Sequence, residues 1–217
     1  YASLVAAERV YGSNPHQSPI DFSLNLINGI PFLLGDFPIW IPRLYYVTLG
    51  IGLTILTAVL LSRKLRIADP HLNWMFSGWL ILYLLGEGGI HYHLLICIIL
   101  VLIGFSKKHF WKTFIFVMAA SIWAGMSRMN WYPVPGMLAA VLFFLEEPVA
   151  NYKSIPSYLW KPVVWVIGGF AVSLGTSLMV FQRLLPGQRI LTGYVTSQLL
   201  WYRLFPNPTY PLGILLA

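Results

Sequence analysis

The segment YYVTLGIGLTILTAVLL, residues 45–61, contains no charged residue over about the length that a helix needs to cross a ~30 Å hydrocarbon layer. The segment VVWVIGGFAVSLGTSLMVF, residues 163–181, has the same character. Across 217 residues the chain is 58% hydrophobic and only 10% charged, and its mean hydropathy is +0.71. These values lie outside the usual range for soluble domains. The sequence therefore predicts an integral membrane protein.

Further apolar runs extend this prediction to an all-α, polytopic transmembrane helix bundle with about six to seven spans, some of them short. The predicted helices cover residues 40–62, 72–86, 91–105, 113–127, 135–146 and 162–182, with the start of another near 210. Before them, SPIDFSLNLINGIPFLLGDFPIWIP (18–42) is interrupted by prolines and polar residues. That pattern predicts an interfacial N-terminal segment that lies in the plane of the membrane surface.

The chain shows no internal repeat or flexible linker, so residues 1–217 are expected to form a single transmembrane domain. It begins at Tyr1 without a methionine and stops inside the apolar run YPLGILLA. We therefore expect a fragment of a longer chain. The single cysteine, Cys97, lies inside an apolar run, which excludes a disulfide framework and is typical of a small buried hydrophobe.

The basic residues occur at the ends of the apolar runs, and membrane orientation explains the net charge of +7 better than nucleic acid binding does. Three segments carry all six lysines: SRKLR (62–66), SKKHFWK (106–112) and NYKSIPSYLWK (151–161). Strict alternation of the predicted helices places all three on the cytoplasmic side, in agreement with the positive-inside rule. Fusing residues 72–105 into one helix would place SKKHFWK outside, so two short helices are preferred.

The outer side then receives most of the remaining polar residues. Among its carboxylates, Glu87 lies between two glycines where two apolar helices meet, and Asp21 and Asp36 lie in the N-terminal segment. A carboxylate near membrane depth is costly and is usually paired or functional, so these three are the candidate catalytic bases. The alternatives are helix capping and pairing with an arginine.

The candidate substrate-binding residues are arginines, which suit phosphate groups, together with an amide and aromatic side chains. Prolines at 133 and 135 forbid a continuous helix, so SRMNWYPVPG is predicted to be a rigid turn between helix ends. The alternative is an ordinary aromatic belt with structural arginines. The set is Arg128, Asn130, Trp131, Tyr132, Arg183, Arg189, Trp201, Tyr202 and Arg203.

His91 and His93 do not make a convincing metal site, because two helical residues separated by two point to different sides. No metal-ligating residues are therefore assigned. The cofactor is unknown, and a divalent metal that bridges a carboxylate and a phosphate is compatible with the outer residues but not required by them.

The layout resembles the GT-C class of polytopic membrane glycosyltransferases, in which outer loops hold a carboxylate base and arginines that grip a lipid-linked sugar phosphate. The segments SRMNWYPVPGMLAAVLFFLE and LLWYRLFPNPTYPLG also look like parts of large uncharacterised bacterial membrane proteins. The paired acidic motif of the first outer loop is not found, and only Asp21 and Asp36 stand in its place. The resemblance implies a location in a bacterial inner or plasma membrane.

Three functions follow. The first is an extracytoplasmic-face, glycosyltransferase-like enzyme that uses a lipid-linked phosphate donor, with membrane lipids such as a polyprenyl phosphate as partners. The second is a non-catalytic integral membrane subunit that scaffolds or docks protein subunits of a larger complex. The third is a transporter, which the scarcity of ionisable residues in the inner halves of the spans disfavours. No nucleic acid partner is expected.

Overall fold

The computed structural model describes residues 22–35, 37–65, 67, 69–86, 89–127 and 129–184, and for 89–91 and 181–184 it describes the backbone alone. Seven α-helices occupy this part of the chain, and it contains no strand. They are α1 (Phe22–Leu34), α2 (Trp40–Leu65), α3 (Pro70–Gly86), α4 (Leu95–Gly104), α5 (Phe110–Gly125), α6 (Val134–Glu146) and α7 (Ile155–Leu184). Short 3-10 segments lie at Gly89–Leu94, Met129–Trp131 and Val149–Asn151. The predicted all-helical fold is confirmed for the described residues.

One helix boundary differs from the prediction by about two turns. The last described helix was expected from residue 162, but α7 begins at Ile155 and contains Pro162. The basic, proline-containing segment before Pro162 had suggested a turn. Pro156 is instead the second helical residue, where a missing N–H costs nothing, and the buried side chain of Tyr158 holds this first turn against the bundle. The helix expected near residue 210 lies outside the described residues.

Chain contacts divide the protein into two units, Tyr1–Leu178 and Met179–Ala217. All of the packing described below belongs to the first unit. Of the second, the structure describes only residues 179–184, which are the last residues of α7. The expectation of a single domain over the whole chain stays a prediction.

Two of the described helices are long and apolar enough to cross a membrane. They are α2 and the Ile155–Val180 part of α7, each of 26 residues with a hydropathy of 2.0. At 1.5 Å per residue each is roughly 39 Å long, more than the ~30 Å hydrocarbon layer. Only 17% and 22% of their apolar windows is buried inside the protein. The shorter helices do not meet the length requirement, so the predicted six to seven spans are not established.

A cluster of aromatic side chains forms the centre of the packed core. Trp165 of α7 is fully buried, with its ring centroid 5.8 Å from both Phe110 and Phe143. It stacks on Phe110 and meets Phe143 edge to face, two arrangements that aromatic rings prefer. The cluster therefore joins the start of α5, the C-terminal half of α6 and the middle of α7.

Glycines allow these three helices to approach closely. A Cβ on Gly136 of α6 would lie 2.6 Å from the main-chain oxygen of Trp165, and one on Gly125 of α5 would lie 2.4 Å from that of Ser173. Real Cβ atoms do not come so near to backbone atoms. Helices in apolar surroundings associate through such small residues, because backbone contact gives van der Waals packing where the hydrophobic effect cannot act.

The three lysine-bearing segments lie together at one end of the helices. Lys64 Nζ donates a hydrogen bond to the Phe105 carbonyl over 3.0 Å. Lys107 Nζ lies 3.0 Å from Glu147 Oε1 and lowers the pKa of that carboxyl, which the Asn151 amide lowers further. Tyr158 OH donates to the Glu147 carbonyl over 2.9 Å. These contacts define the lysine end, residues 62–65, 105–112 and 146–161.

The preference for two short helices over one fused helix is confirmed, because α3 and α4 are separate helices. The segment between α4 and α5 lies beside Lys64. The alternation of the helices across a membrane stays a prediction.

We expect Gly136→Ala to lower the free energy of unfolding by about 1–3 kcal/mol, since the new methyl group would push α6 away from α7. Gly52→Ala is the matched control, because nothing lies within 4 Å of its Cβ position. Alanine is the better helix former by up to about 1 kcal/mol, so this control should be neutral or stabilising. Thermal unfolding of both variants in detergent measures the difference. Equal midpoints for the two variants would contradict the proposed close contact.

Candidate functional site

Few of the predicted site residues fall where the structure can place them. Asn130, Trp131 and Tyr132 are fully described, and Arg183 is described by its backbone alone, near the end of α7. The others lie outside the described residues, and their roles stay predictions. They are Asp21, Asp36, Glu87, Arg128, Arg189, Trp201, Tyr202 and Arg203.

Asn130, Trp131 and Tyr132 belong to the end of the helices that faces away from the lysine end. In α2, Tyr46 precedes Lys64 by eighteen residues, which corresponds to roughly 27 Å along a helix. Tyr46 OH donates a hydrogen bond to the Asn28 carbonyl of α1 over 3.0 Å. We call this region the α1 end and define it as residues 22–28, 43–46, 92–93, 123–127, 129–132 and 173–177.

Helix α1 is attached to the C-terminal end of α5 by its first turn. The Ser23 N–H donates to the Met126 carbonyl over 3.1 Å. The hydroxyl groups of Ser23 and Ser127 hydrogen-bond to each other, and both side chains are buried. Because these polar groups satisfy one another, a polar helix start can be buried here without the cost of unpaired groups.

Asn28 is the residue through which α1 contacts two further elements. Its main-chain oxygen accepts the bond from Tyr46 of α2, and its side-chain Oδ1 accepts a bond from Tyr92 OH of the Gly89–Leu94 segment. The Trp123 Nε1 of α5 donates to the His93 carbonyl over 2.9 Å. Four elements are therefore joined by directional bonds at the α1 end.

His93 is fully buried, and its ring lies edge to face against Tyr92 at a centroid distance of 6.2 Å. In the part of the chain that the structure describes, no group of three His, Cys, Asp or Glu side chains could hold a metal ion. The side chain of His91 is not among those described.

The turn that follows α5 presents its three predicted residues in different ways. Tyr132 is 3% exposed, and its hydroxyl hydrogen-bonds to Ser177 of α7. Ser173 Oγ donates to the carbonyls of both Ser121 and Tyr132, at 2.9 and 3.3 Å. Trp131 is half-buried against the core.

Asn130 is the exposed member of the three. Tyr132 thus anchors the turn to α7, while the Asn130 amide is open to a ligand. The sequence alone did not separate these two roles, and substrate binding by all three residues stays a prediction.

Four residues that hold the α1 end together are not among the predicted site residues. Ser23, Asn28, Tyr92 and Ser127 make its principal hydrogen bonds. A signal was present at Asn28, which interrupts the apolar run LINGIPFLL, since an amide inside an apolar helix needs a partner.

No protein-family model matches the chain, and no curated protein or solved structure is detectably similar to it. The resemblance to GT-C enzymes therefore depends on the layout of the sequence alone and stays a prediction.

We expect Asn28→Ala to loosen α1 from the rest of the bundle, because the Tyr92 hydroxyl loses its acceptor. The loss should be about 1 kcal/mol in the local opening free energy. Hydrogen exchange of the α1 amides measures it. Tyr92→Phe should give the same effect, and the double variant should add little to either single one. Fully additive effects, or unchanged exchange in α1, would show that this bond does not hold the helix.

Proposed function

We propose that the chain is an integral membrane protein with its lysine end in the cytoplasm and its α1 end on the extracytoplasmic side. The clustering of three lysine-bearing segments at one end supports this orientation. In this proposal the shorter helices also lie in the hydrocarbon layer, which gives about six crossings in the described part, and the membrane is a bacterial inner or plasma membrane.

The exposed side chains support a lipid environment. Trp74, Met75 and Leu82 of α3 are each more than 70% exposed, and only Ser77 and Leu80 of that helix are buried. A soluble protein rarely leaves so large an apolar surface in water, because such a surface promotes aggregation. Lipid chains would cover it without cost.

Helix α1 fits the predicted interfacial position in this arrangement. Its first turn is buried through Ser23, while Leu33 and Leu34 at its other end are 80% and 75% exposed. Helices that lie at a membrane surface insert such apolar side chains among the acyl chains.

At the α1 end we propose a glycosyltransferase-like site for a lipid-linked phosphate donor, such as a polyprenyl phosphate sugar. Glu87, Asp21 or Asp36 would deprotonate the acceptor, and Arg128 would neutralise the departing phosphate. The single observation that supports this site is the hydrogen bond from Trp123 to the His93 carbonyl. His93 lies in the segment that follows Glu87 in the sequence, and Trp123 lies in the helix that precedes Arg128. A divalent metal between carboxylate and phosphate is compatible with these roles.

Cysteine accessibility tests the orientation. Cys97, the single native cysteine, is fully buried, so the unmodified chain serves as the unlabelled control. Asn130→Cys and Lys108→Cys place one exposed thiol at each end. In sealed cells a membrane-impermeant maleimide should label Asn130→Cys and not Lys108→Cys, and permeabilisation should expose both. The reverse labelling pattern would overturn the proposed orientation.

Substitution of the proposed catalytic residues tests the chemistry. We expect Glu87→Gln to slow sugar transfer from a radiolabelled polyprenyl phosphate donor by roughly 100-fold or more, because a general base is lost. Arg128→Ala should have an effect of similar size if it stabilises the phosphate. Glu147→Gln is the matched control, since Glu147 lies at the lysine end. Normal transfer by Glu87→Gln and Arg128→Ala would exclude these two residues from the reaction.

One observation favours the second candidate function, a non-catalytic subunit that docks a protein partner. On α3, Trp79 and the exposed Tyr83 stack with centroids 5.5 Å apart, and Trp79 is 58% exposed. They form one exposed aromatic surface in the second half of α3. Aromatic side chains also dominate the centres of protein interfaces.

If the chain is a docking subunit, the double variant Trp79→Leu and Tyr83→Leu should release a co-purifying subunit while the chain itself stays folded. The Trp111→Leu variant removes an exposed aromatic residue elsewhere and is the control. Retention of every co-purifying protein by the double variant would count against a docking role for α3.

A further inference from the structure

The lysine end contains an open cleft that none of the functions above uses. It has a volume of about 510 Å³, within the usual range of small-molecule sites. The C-terminal ends of α2, α4 and α6 and the segment after α4 enclose it. Four of its lining residues are basic: Arg63, Lys64, Lys107 and Lys108.

Two of these cations have structural partners that fix their positions. Lys64 Nζ bonds the Phe105 carbonyl and lies 5.1 Å from the centroid of the Phe105 ring. Lys107 Nζ bonds the Glu146 carbonyl over 3.3 Å and pairs with Glu147. Both therefore satisfy carbonyls at helix C-termini, where a positive charge is favourable.

Arg63 and Lys108 differ in this respect. Both side chains are exposed, and neither forms an ion pair with any residue that the structure describes. With Glu146 in the lining and Glu147 paired to Lys107, four cations and two carboxylates leave a net charge of +2. An anion in the cleft would find Arg63 and Lys108 available, and the arginine fork suits phosphate oxygens.

The cleft also has an apolar lining that a free anion does not need. Leu60, Leu102 and Ile103 line it, and Ile103 is 50% exposed. Because the cleft lies where α2 and α4 end, its basic groups are at the level of headgroups in the proposed membrane position. The exposed Trp111, at the start of α5, is in the position expected of an interfacial aromatic residue.

We propose that this cleft binds the phosphate headgroup of an anionic lipid of the cytoplasmic leaflet. Arg63 and Lys108 contact the phosphate, and the apolar lining receives the first part of an acyl chain. Basic pockets between membrane helices on the cytoplasmic side are suited to anionic headgroups. The proposal rests on the membrane location proposed above and not on the glycosyltransferase chemistry, which lies at the other end.

Lipid binding to the purified full chain in a non-ionic detergent tests this site, with native mass spectrometry as the measurement. Phosphatidylglycerol should bind more tightly than phosphatidylcholine of the same acyl chains, because both carry the phosphate but only the first keeps a net charge. The double variant Arg63→Gln and Lys108→Gln should bind phosphatidylglycerol roughly 25-fold more weakly, from about fivefold for each basic residue.

Three further variants make the result specific. Lys112→Gln with Lys153→Gln removes the same charge from exposed residues outside the cleft and should leave affinity nearly unchanged. Arg63→Lys with Lys108→Arg keeps the charge and should retain binding. Glu146→Gln should tighten binding, because it removes a negative charge from the lining but leaves the carbonyl that Lys107 uses. If Glu146 only stabilised the fold, its replacement by glutamine would not increase the affinity for phosphatidylglycerol.

Equal binding of the two lipids, or unchanged affinity in the Arg63→Gln and Lys108→Gln variant, would overturn the proposal. Inorganic phosphate is the third probe. If it binds as tightly as phosphatidylglycerol and with the same dependence on Arg63 and Lys108, the cleft is a site for a free anion and the lipid assignment fails. Thermal unfolding of every variant separates lost binding from lost folding.

Discussion

The close approach of α7 to α5 and α6 is the constraint on which the described structure depends. Gly125 and Gly136 bring backbone against backbone at separations that no side chain would permit. This approach places Trp165 among Phe110 and Phe143, and it brings Ser173 and Ser177 within bonding distance of the turn after α5. The position of Asn130, the exposed amide of the candidate site, follows from those bonds. A small change in helix spacing would therefore alter both the core and the site.

Much of the helical fold could be predicted because uninterrupted apolar runs have few other stable structures. Backbone groups in apolar surroundings must be bonded within their own segment. The predicted interruptions agree with the end of α3 at Gly86 and with the separation of α5, which ends at Gly125, from α6, which begins at Val134. The start of α7 was misplaced because lysine, serine and proline in residues 151–161 are typical of a turn. Burial of Tyr158 and its bond to the Glu147 carbonyl outweigh those local preferences, and neither is visible in the sequence.

The candidate site was harder to predict than the fold. Asn130, Trp131 and Tyr132 look alike in sequence, as polar or aromatic residues in a proline-bounded turn, yet one is exposed, one half-buried and one fully packed. The difference arises from Ser177, forty-five residues later, which bonds the Tyr132 hydroxyl. Likewise, neither Ser23 nor Ser127 alone indicates a structural role in the sequence, and their role follows from the hydrogen bond that they form as a buried pair. Long-range pairing of small polar residues inside apolar helices carries no periodic signal.

The helices of this bundle differ widely in length, and in the proposed membrane position that difference would extend to the surrounding lipid. α2 has 26 residues, whereas α5 has 16 and α6 has 13, which corresponds to roughly 39, 24 and 20 Å. If α5 and α6 cross the bilayer as proposed, the long helix would have to tilt and the lipid beside the short helices would have to become thinner, at a fraction of a kcal/mol for each ångström of mismatch. The proposed membrane position therefore predicts that the protein deforms the bilayer unevenly and favours thin membranes over thick, sterol-rich ones.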